Sequence, residues 1–166
     1  MALLGLGTAV PRYRYADADI GSWFAAALSG NRALSRWMRG VFVATGIETR
    51  HSCLPDVFGA PQESRYSPGR LLEDAATTAE RMAVYEREAV VIGAAAAQRA
   101  MSDSGDPSIG ETVTHLVVVS CTGFFAPGLD QAIAHALGLP PTVQRTLVGF
   151  MGCAAAFNGL RLADHI

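Results

Sequence analysis

Cys153 stands where a thiol could become a nucleophile. The run Val148-Gly149-Phe150-Met151-Gly152-Cys153-Ala154-Ala155-Ala156-Phe157-Asn158-Gly159-Leu160-Arg161-Leu162-Ala163 reads as an apolar strand end, a tight Met-Gly turn, one cysteine, and a helix that starts in three alanines. At such a joint the first unpaired helix N–H groups and the positive end of the helix dipole both favour a thiolate. A thiolate there could attack an activated acyl group and hold it as a thioester. The bland alternative is a small buried hydrophobe among alanines, and the local pattern leaves both open.

Cys121 and Thr122 form a second point of interest. They end the β-branched run His115-Leu116-Val117-Val118-Val119-Ser120, and open α/β sheets bind ligands outside the carboxyl ends of their strands. Cys121 itself reads more readily as a packed cysteine than as a second reactive thiol. A base for Cys153 is harder to find among the four histidines. His165 is twelve residues along the same helix, roughly 18 Å away at 1.5 Å per residue. His115 begins its strand, about 20 Å from the carboxyl end, and His135 falls near the far end of a helix that leaves that edge. His51 has no position fixed by its sequence context. Proton transfer requires hydrogen-bond reach, so the base is expected outside these residues. Cys53, Cys121 and Cys153 have no CxxC spacing and no histidine at ligand spacing, so neither a disulfide framework nor a metal site is expected.

The elements that position these residues follow from periodicity. Ala2–Val10 is apolar and glycine-punctuated and predicts a buried strand, with Gly5 and Gly7 admitting a second backbone. Asp17 or Asp19 is expected to cap a helix carrying Ile20, Trp23, Phe24, Ala27 and Leu28. A second helix runs from about Ala33 to Val43, and Gly46 turns the chain into a short strand. Residues 55–70 hold three prolines and two glycines and predict a surface loop. A long helix starts near Thr77 or Thr78, with Met82, Tyr85, Ala89, Ile92, Ala96 and Ala100 on one face. It is broken at Ser102–Pro107. His115–Cys121 has the composition of a strand buried on both faces. A helix opened by Pro127-Gly128 and a strand over Thr142–Phe150 follow, then the helix of Cys153. This alternation predicts parallel strands covered by helices, an α/β class.

The 166 residues can build one domain with a sizeable core. Half are hydrophobic and 17% charged, and the net charge is −2, which gives no nucleic-acid or anionic-membrane signal. All thirteen basic residues are arginine, so no lysine Schiff base can form. No apolar run approaches the ~18 residues of a membrane span, and the amino terminus has no signal-peptide pattern. A cytoplasmic location is expected.

Thr45-Gly46-Ile47-Glu48-Thr49-Arg50-His51, the helix around Arg81–Glu88, Thr114–Gly123 with Ala126-Pro127-Gly128, and Gln144–Arg161 come in the order and spacing of type III polyketide synthases. The sequence therefore resembles the chalcone synthase-like branch of the thiolase fold, with bacterial alkylpyrone and alkylresorcinol synthases most similar. The resemblance implies that residues 1–166 are the N-terminal part of a thiolase-like domain, a layered αβαβα arrangement with a mixed, mostly parallel sheet. It makes Cys153 the nucleophile, acyl-CoA and malonyl-CoA the substrates, and the enzyme a homodimer needing no metal or prosthetic group. It places Cys121, Thr122 and Ala126 on the wall of the starter and product pocket. Ala126 stands where plant chalcone synthases carry a methionine reaching the partner subunit. Arg36 and Arg39 are the candidates for CoA phosphates, although Ala44 replaces a usual lysine and a solvated helix face explains the arginines equally well. Arg50 fits a structural ion pair better. The family's catalytic histidine and asparagine lie far downstream of the cysteine and have no counterpart here. A ketoacyl synthase III-like condensing enzyme shares fold and nucleophile, but Gly-Phe-Met-Gly-Cys and Ala126-Pro127-Gly128 favour the polyketide synthase. A non-catalytic fragment that needs its C-terminal half is the other alternative.

Overall fold

Residues 2–28, 30–55, 58 and 75–166 are described by a computed structural model. In chain order the elements are β1 (Tyr13–Ala16), α1 (Asp17–Ala27), α2 (Arg32–Ala44), β2 (Thr49–Ser52), α3 (Thr78–Asp103), α4 (Ile109–Thr112), β3 (His115–Ser120), α5 (Leu129–Ala136), β4 (Gln144–Gly149) and α6 (Ala155–His165). They fall into two units, Val10–Thr78 and Ala79–Ile166 with Met1–Ala9. Most of the expected loop over residues 55–70 lies outside the described residues.

In the Val10–Thr78 unit, β1 pairs antiparallel with β2, Tyr13 opposite Ser52 and Ala16 opposite Thr49. The alternation Tyr13-Arg14-Tyr15 signals this strand, so the first strand lies after Pro11 and not in residues 2–10. α1 and α2 pack where Gly21 meets Phe42: a Cβ at Gly21 would lie 2.9 Å from that of Phe42. Phe24 stacks on Phe42 at 5.6 Å. Asn31 caps α2 by accepting from the Leu34 amide at 3.0 Å, as the short polar side chain of a cap does. Neither Asp17 nor Asp19 caps α1, because its N-cap position falls on Ala16. The Asp17 carboxylate is buried at 3% exposure and pairs with the Arg50 guanidinium. The expected structural role of Arg50 is thereby realised.

The second unit is built on parallel pairing of β3 and β4, with His115 opposite Gln144 and Ser120 opposite Gly149. Val118, Leu129 and Ile133 form its buried cluster, with Tyr85, Ala89, Val90, Leu116, Phe125 and Leu137 packed around it. Most of these residues come from α3, β3 and α5, with Phe125 in the loop after β3 and Leu137 just after α5, and of the predicted stripe of α3 Tyr85 and Ala89 face this cluster. The expectation that β3 is buried on both faces is not met: Val118 is buried, but Val119 is 37% exposed. Leu147, Phe157 and Leu160 are likewise exposed, and among the described residues β3 and β4 pair only with each other.

Residues 2–10 form no strand among the described residues, and Leu3, Leu4, Leu6 and Val10 are exposed. The polar groups that a ladder would use are taken by α3 instead. The Leu6 amide donates to the Asp103 carboxylate at 2.9 Å, and the Thr8 carbonyl accepts from Arg99. The two glycines act as expected: a Cβ would fall 2.2 Å from the Ala100 carbonyl oxygen at Gly5 and 2.1 Å from that of Ala96 at Gly7. Side chains cannot approach a helix backbone this closely.

Among the described residues no helix is long and apolar enough to cross a membrane.

Two substitutions test this packing. Asp17→Asn removes the charge partner of the partly exposed Arg50 and should lower the stability of the Val10–Thr78 unit by about 1–2 kcal/mol. Trp23 and Trp37, the only tryptophans, both lie in this unit, so their fluorescence in a urea titration reads it; an unchanged midpoint would contradict the role. Gly159 of α6 sits on β3, where a Cβ would lie 2.7 Å from Val119 Cγ2 and 3.6 Å from Val117 Cγ1. Gly159→Val should therefore cost about 2 kcal/mol by overpacking, with most of it restored by Val119→Ala in the same chain. Additive losses in the double variant would show that the two residues do not press on each other.

Candidate active site

Parallel pairing sends β3 and β4 out of the sheet at the same end. Ser120 closes β3 opposite Gly149, which closes β4. Cys121 and Thr122 follow one strand, and Phe150, Met151, Gly152 and Cys153 follow the other. The site residues that are far apart in sequence are thus gathered by register at the carboxyl edge, the place where open α/β sheets hold ligands.

The turn after β4 is tightly specified. Phe150 has φ 58° and Gly152 φ 72°, both in the left-handed region that β-carbons disfavour. The Met151 sulfur accepts from Asn158 Nδ2 of α6 at 3.6 Å. The Phe150 ring lies edge-on to that of Phe124, with centroids 5.6 Å apart, so the turn after β4 touches the loop after β3. Cys153 emerges exposed.

The helix does not begin at Cys153 but two residues later. The amides of Ala155, Ala156 and Phe157 donate to the carbonyls of Gly152, Cys153 and Ala154 at 3.0, 3.3 and 3.1 Å. This tight first turn occupies donors that would otherwise point out of the helix. The amides of Cys153 and Ala154 stand ahead of that ladder. Seating of Gly159 on Val117 and Val119 fixes the line of α6 and hence the point from which Cys153 projects.

The wall after β3 is held by its own contacts. Cys121 is half-buried, while Thr122 and Ala126 are exposed. The Ser120 hydroxyl is hydrogen-bonded to the Tyr85 hydroxyl at 2.5 Å, a contact that helical periodicity did not signal because Tyr85 reads simply as a core residue. Asp130, in the first turn of α5, binds Arg145 at 2.7 Å and ties α5 to the amino half of β4.

The histidines of this unit lie elsewhere. His115 opens β3 and contacts the Thr114 hydroxyl at 3.0 Å. His135 is in the last turn of α5. His165 is in the last turn of α6, 2.6 Å from the Arg161 carbonyl. The expectation that none of these three serves Cys153 agrees with their placement. Asp106 has its carboxyl held below the usual range by the hydroxyl and amide of Ser108, a local contact at the entry to α4. Among the described residues no three His, Cys, Asp or Glu side chains gather as a metal site.

In the Val10–Thr78 unit, Arg36 and Arg39 are exposed on α2. With Arg32, Ser35, Ala25 and Ala26 they line a shallow groove of about 310 Å³. Arg32 completes an i, i+4, i+7 row, a spacing visible in the helical pattern of the sequence.

A family model described as chalcone and stilbene synthases, N-terminal domain, matches residues 1–166. The alpha-pyrone synthesis polyketide synthase-like Pks18 of Mycobacterium tuberculosis is 41% identical over 90 residues, covering 54% of this chain and 22% of the relative. The crystal structure of PKS-I from the brown alga Ectocarpus siliculosus matches with a TM-score of 0.77 and 31% identity, over 99% of this chain and 43% of that one. The C-terminal type III polyketide synthase domain of Steely1, a type I/III hybrid from Dictyostelium, matches in fold with a TM-score of 0.81 at 24% identity, over 97% of this chain and 42% of that one. The chain thus spans less than half the length of the proteins it matches, and the likeness carries the thiolase-like α/β fold. With the whole of its length matched, this chain belongs to the chalcone and stilbene synthase family, the type III polyketide synthases, as an N-terminal domain.

Proposed function

We propose that a protein carrying this domain is a type III polyketide synthase in which Cys153 holds the acyl chain, and that it makes pyrone or resorcinol products. In the loading step the Cys153 thiolate attacks the carbonyl of an acyl-CoA, the new C–S bond forms, and CoA leaves as its thiolate. Malonyl-CoA then loses CO2, and the electron pair left on its α-carbon attacks the Cys153 thioester. A C–C bond forms, the C–S bond to Cys153 breaks, and the thiolate is restored for the next extension. The thioester carbonyl stabilises the carbanion, so this route calls on no metal or prosthetic group.

The observation that carries this reading is the placement of Cys153: exposed, ahead of α6, in a turn braced by Gly152, Asn158 and Phe124 at the shared carboxyl edge of β3 and β4. Cys121, Thr122 and Ala126 leave the neighbouring strand at that edge and are proposed as the wall of the starter pocket. A small side chain at Ala126 leaves room for a long acyl starter, and pyrone products are in keeping with the alpha-pyrone synthesis polyketide synthase-like relative from Mycobacterium tuberculosis. Arg36 and Arg39, with Arg32 beside them, are proposed to meet CoA phosphates, since three guanidiniums on one helix face can share an anionic group. A cytoplasmic homodimer is proposed, with the exposed Phe124 near the contact between subunits. The proton-transfer and oxyanion groups would come from outside residues 1–166.

The test is turnover of a long-chain acyl-CoA with malonyl-CoA, with CoA release and pyrone formation both measured. Cys153→Ala should reduce both by at least about 10³-fold, the scale of losing a covalent nucleophile. The 166-residue chain assayed alone should be inactive and should gain activity when the C-terminal region of a relative is supplied. Undiminished pyrone formation by Cys153→Ala would overturn the proposal.

A further inference from the structure

Tyr85 is the feature of this unit that the reaction as proposed does not use and that core packing alone does not explain. Its ring belongs to the apolar layer around Val118, Leu129 and Ile133 and sits edge-on to Phe125 with centroids 6.2 Å apart. It also lies flat under the backbone of Gly123, where a Cβ would fall 2.4 Å from Tyr85 Cγ. A phenylalanine would satisfy all three contacts. What the tyrosine adds is the hydroxyl, placed 2.5 Å from Ser120 Oγ. Ser120 is the last residue of β3, polar after four apolar residues, and its backbone is held from the other side by pairing with Gly149. The rigid ring of Tyr85 therefore grips the chain at Ser120, Gly123 and Phe125, and the residues between these points are Cys121, Thr122 and Phe124.

We propose that Tyr85 is a positioning residue whose hydroxyl, bonded to Ser120, fixes the segment Cys121–Phe125 and so sets the length of acyl chain that the site accepts. The chain-length role rests on the acyl-transfer reading above. Tyr85 touches no reacting atom; it acts through the wall. The grip is two-sided, because Gly123 is also the point at which any side chain would lift the wall off the ring.

Tyr85→Phe and Ser120→Ala, each in the full chain, remove the bond from either side. Two readouts separate its parts. The first is the labelling rate of each cysteine by 5,5′-dithiobis(2-nitrobenzoate), mapped by peptide mass spectrometry. Cys121 should label roughly two- to tenfold faster in either variant, the equilibrium factor of one hydrogen bond, and the double variant should be no faster than the quicker single one. Cys53 should be unchanged, and Cys153, reached only through the Phe124–Phe150 contact, should change less than Cys121. Equal acceleration at all three thiols would show general loosening and overturn the positioning role, as would no change at Cys121. The second readout, with the C-terminal region of a relative supplied, is kcat/KM across acyl-CoAs of increasing length, which should flatten or shift toward longer chains in both variants. An unchanged length profile with faster Cys121 labelling would overturn the specificity role alone. Absence of acyl transfer in the unaltered chain even with the C-terminal region of a relative supplied would overturn the functional reading and with it the chain-length role, while the labelling still decides whether Tyr85 positions the turn.

Discussion

The parallel register of β3 and β4 is the constraint from which the rest of the site descends. Parallel strands leave a sheet in the same direction, and with Ser120 opposite Gly149 they leave it at the same level. A slip of one residue would reverse which side chains face the helices on each strand and would carry Cys121 and Cys153 to different heights. The packing of α6, the helix that follows β4, fixes its line over β3: Gly159 lets the helix rest on Val117 and Val119. From α3, Tyr85 holds the carboxyl end of β3 at Ser120 and the turn after it at Gly123. Small residues allow close approach and large ones define it, and together they place a thiol.

The turn that presents Cys153 shows how local strain is maintained. Phe150 is a non-glycine residue at positive φ and is 77% exposed, so burial of its own side chain does not hold it there. Its ring contact with Phe124 and the Asn158–Met151 contact hold the turn from both sides. Such conformations persist when the surroundings over-determine them, and they concentrate at functional turns. The tight first turn of α6 changes how its amino end bears on the thiol. The amides of Ala155 to Phe157 bind the preceding carbonyls, so the direct amide donors nearest the sulfur are those of Cys153 and Ala154.

Much of this was legible in the sequence where a physical rule is local. The Cys153 joint, the β-branched run of β3, the start of α3 at Thr78 and its break at Ser102–Pro107 follow from turn chemistry and periodicity. Gly5 and Gly7 correctly announced a close backbone. What could not be read was the partner: an apolar, glycine-rich segment predicts a strand equally well whether its neighbour is a strand or, as here, the α3 side chains Asp103 and Arg99. Asp17 likewise has the composition of a cap, and only the fold of β2 reveals that Arg50 competes for its carboxylate. Tyr85 was legible as a core position and illegible as a hydrogen-bond donor or acceptor, since its partner is 35 residues away.

The central claim is that Cys153, and no other thiol, carries the acyl group. It is tested most directly by supplying the C-terminal region of a relative, quenching the chain in acid soon after mixing with a long-chain acyl-CoA, without malonyl-CoA, and mapping the added mass by peptide mass spectrometry. A single acyl group on the peptide that contains Cys153, absent from Cys153→Ala, is the predicted result. Acylation of Cys121 or Cys53 at an equal or greater level would contradict the account.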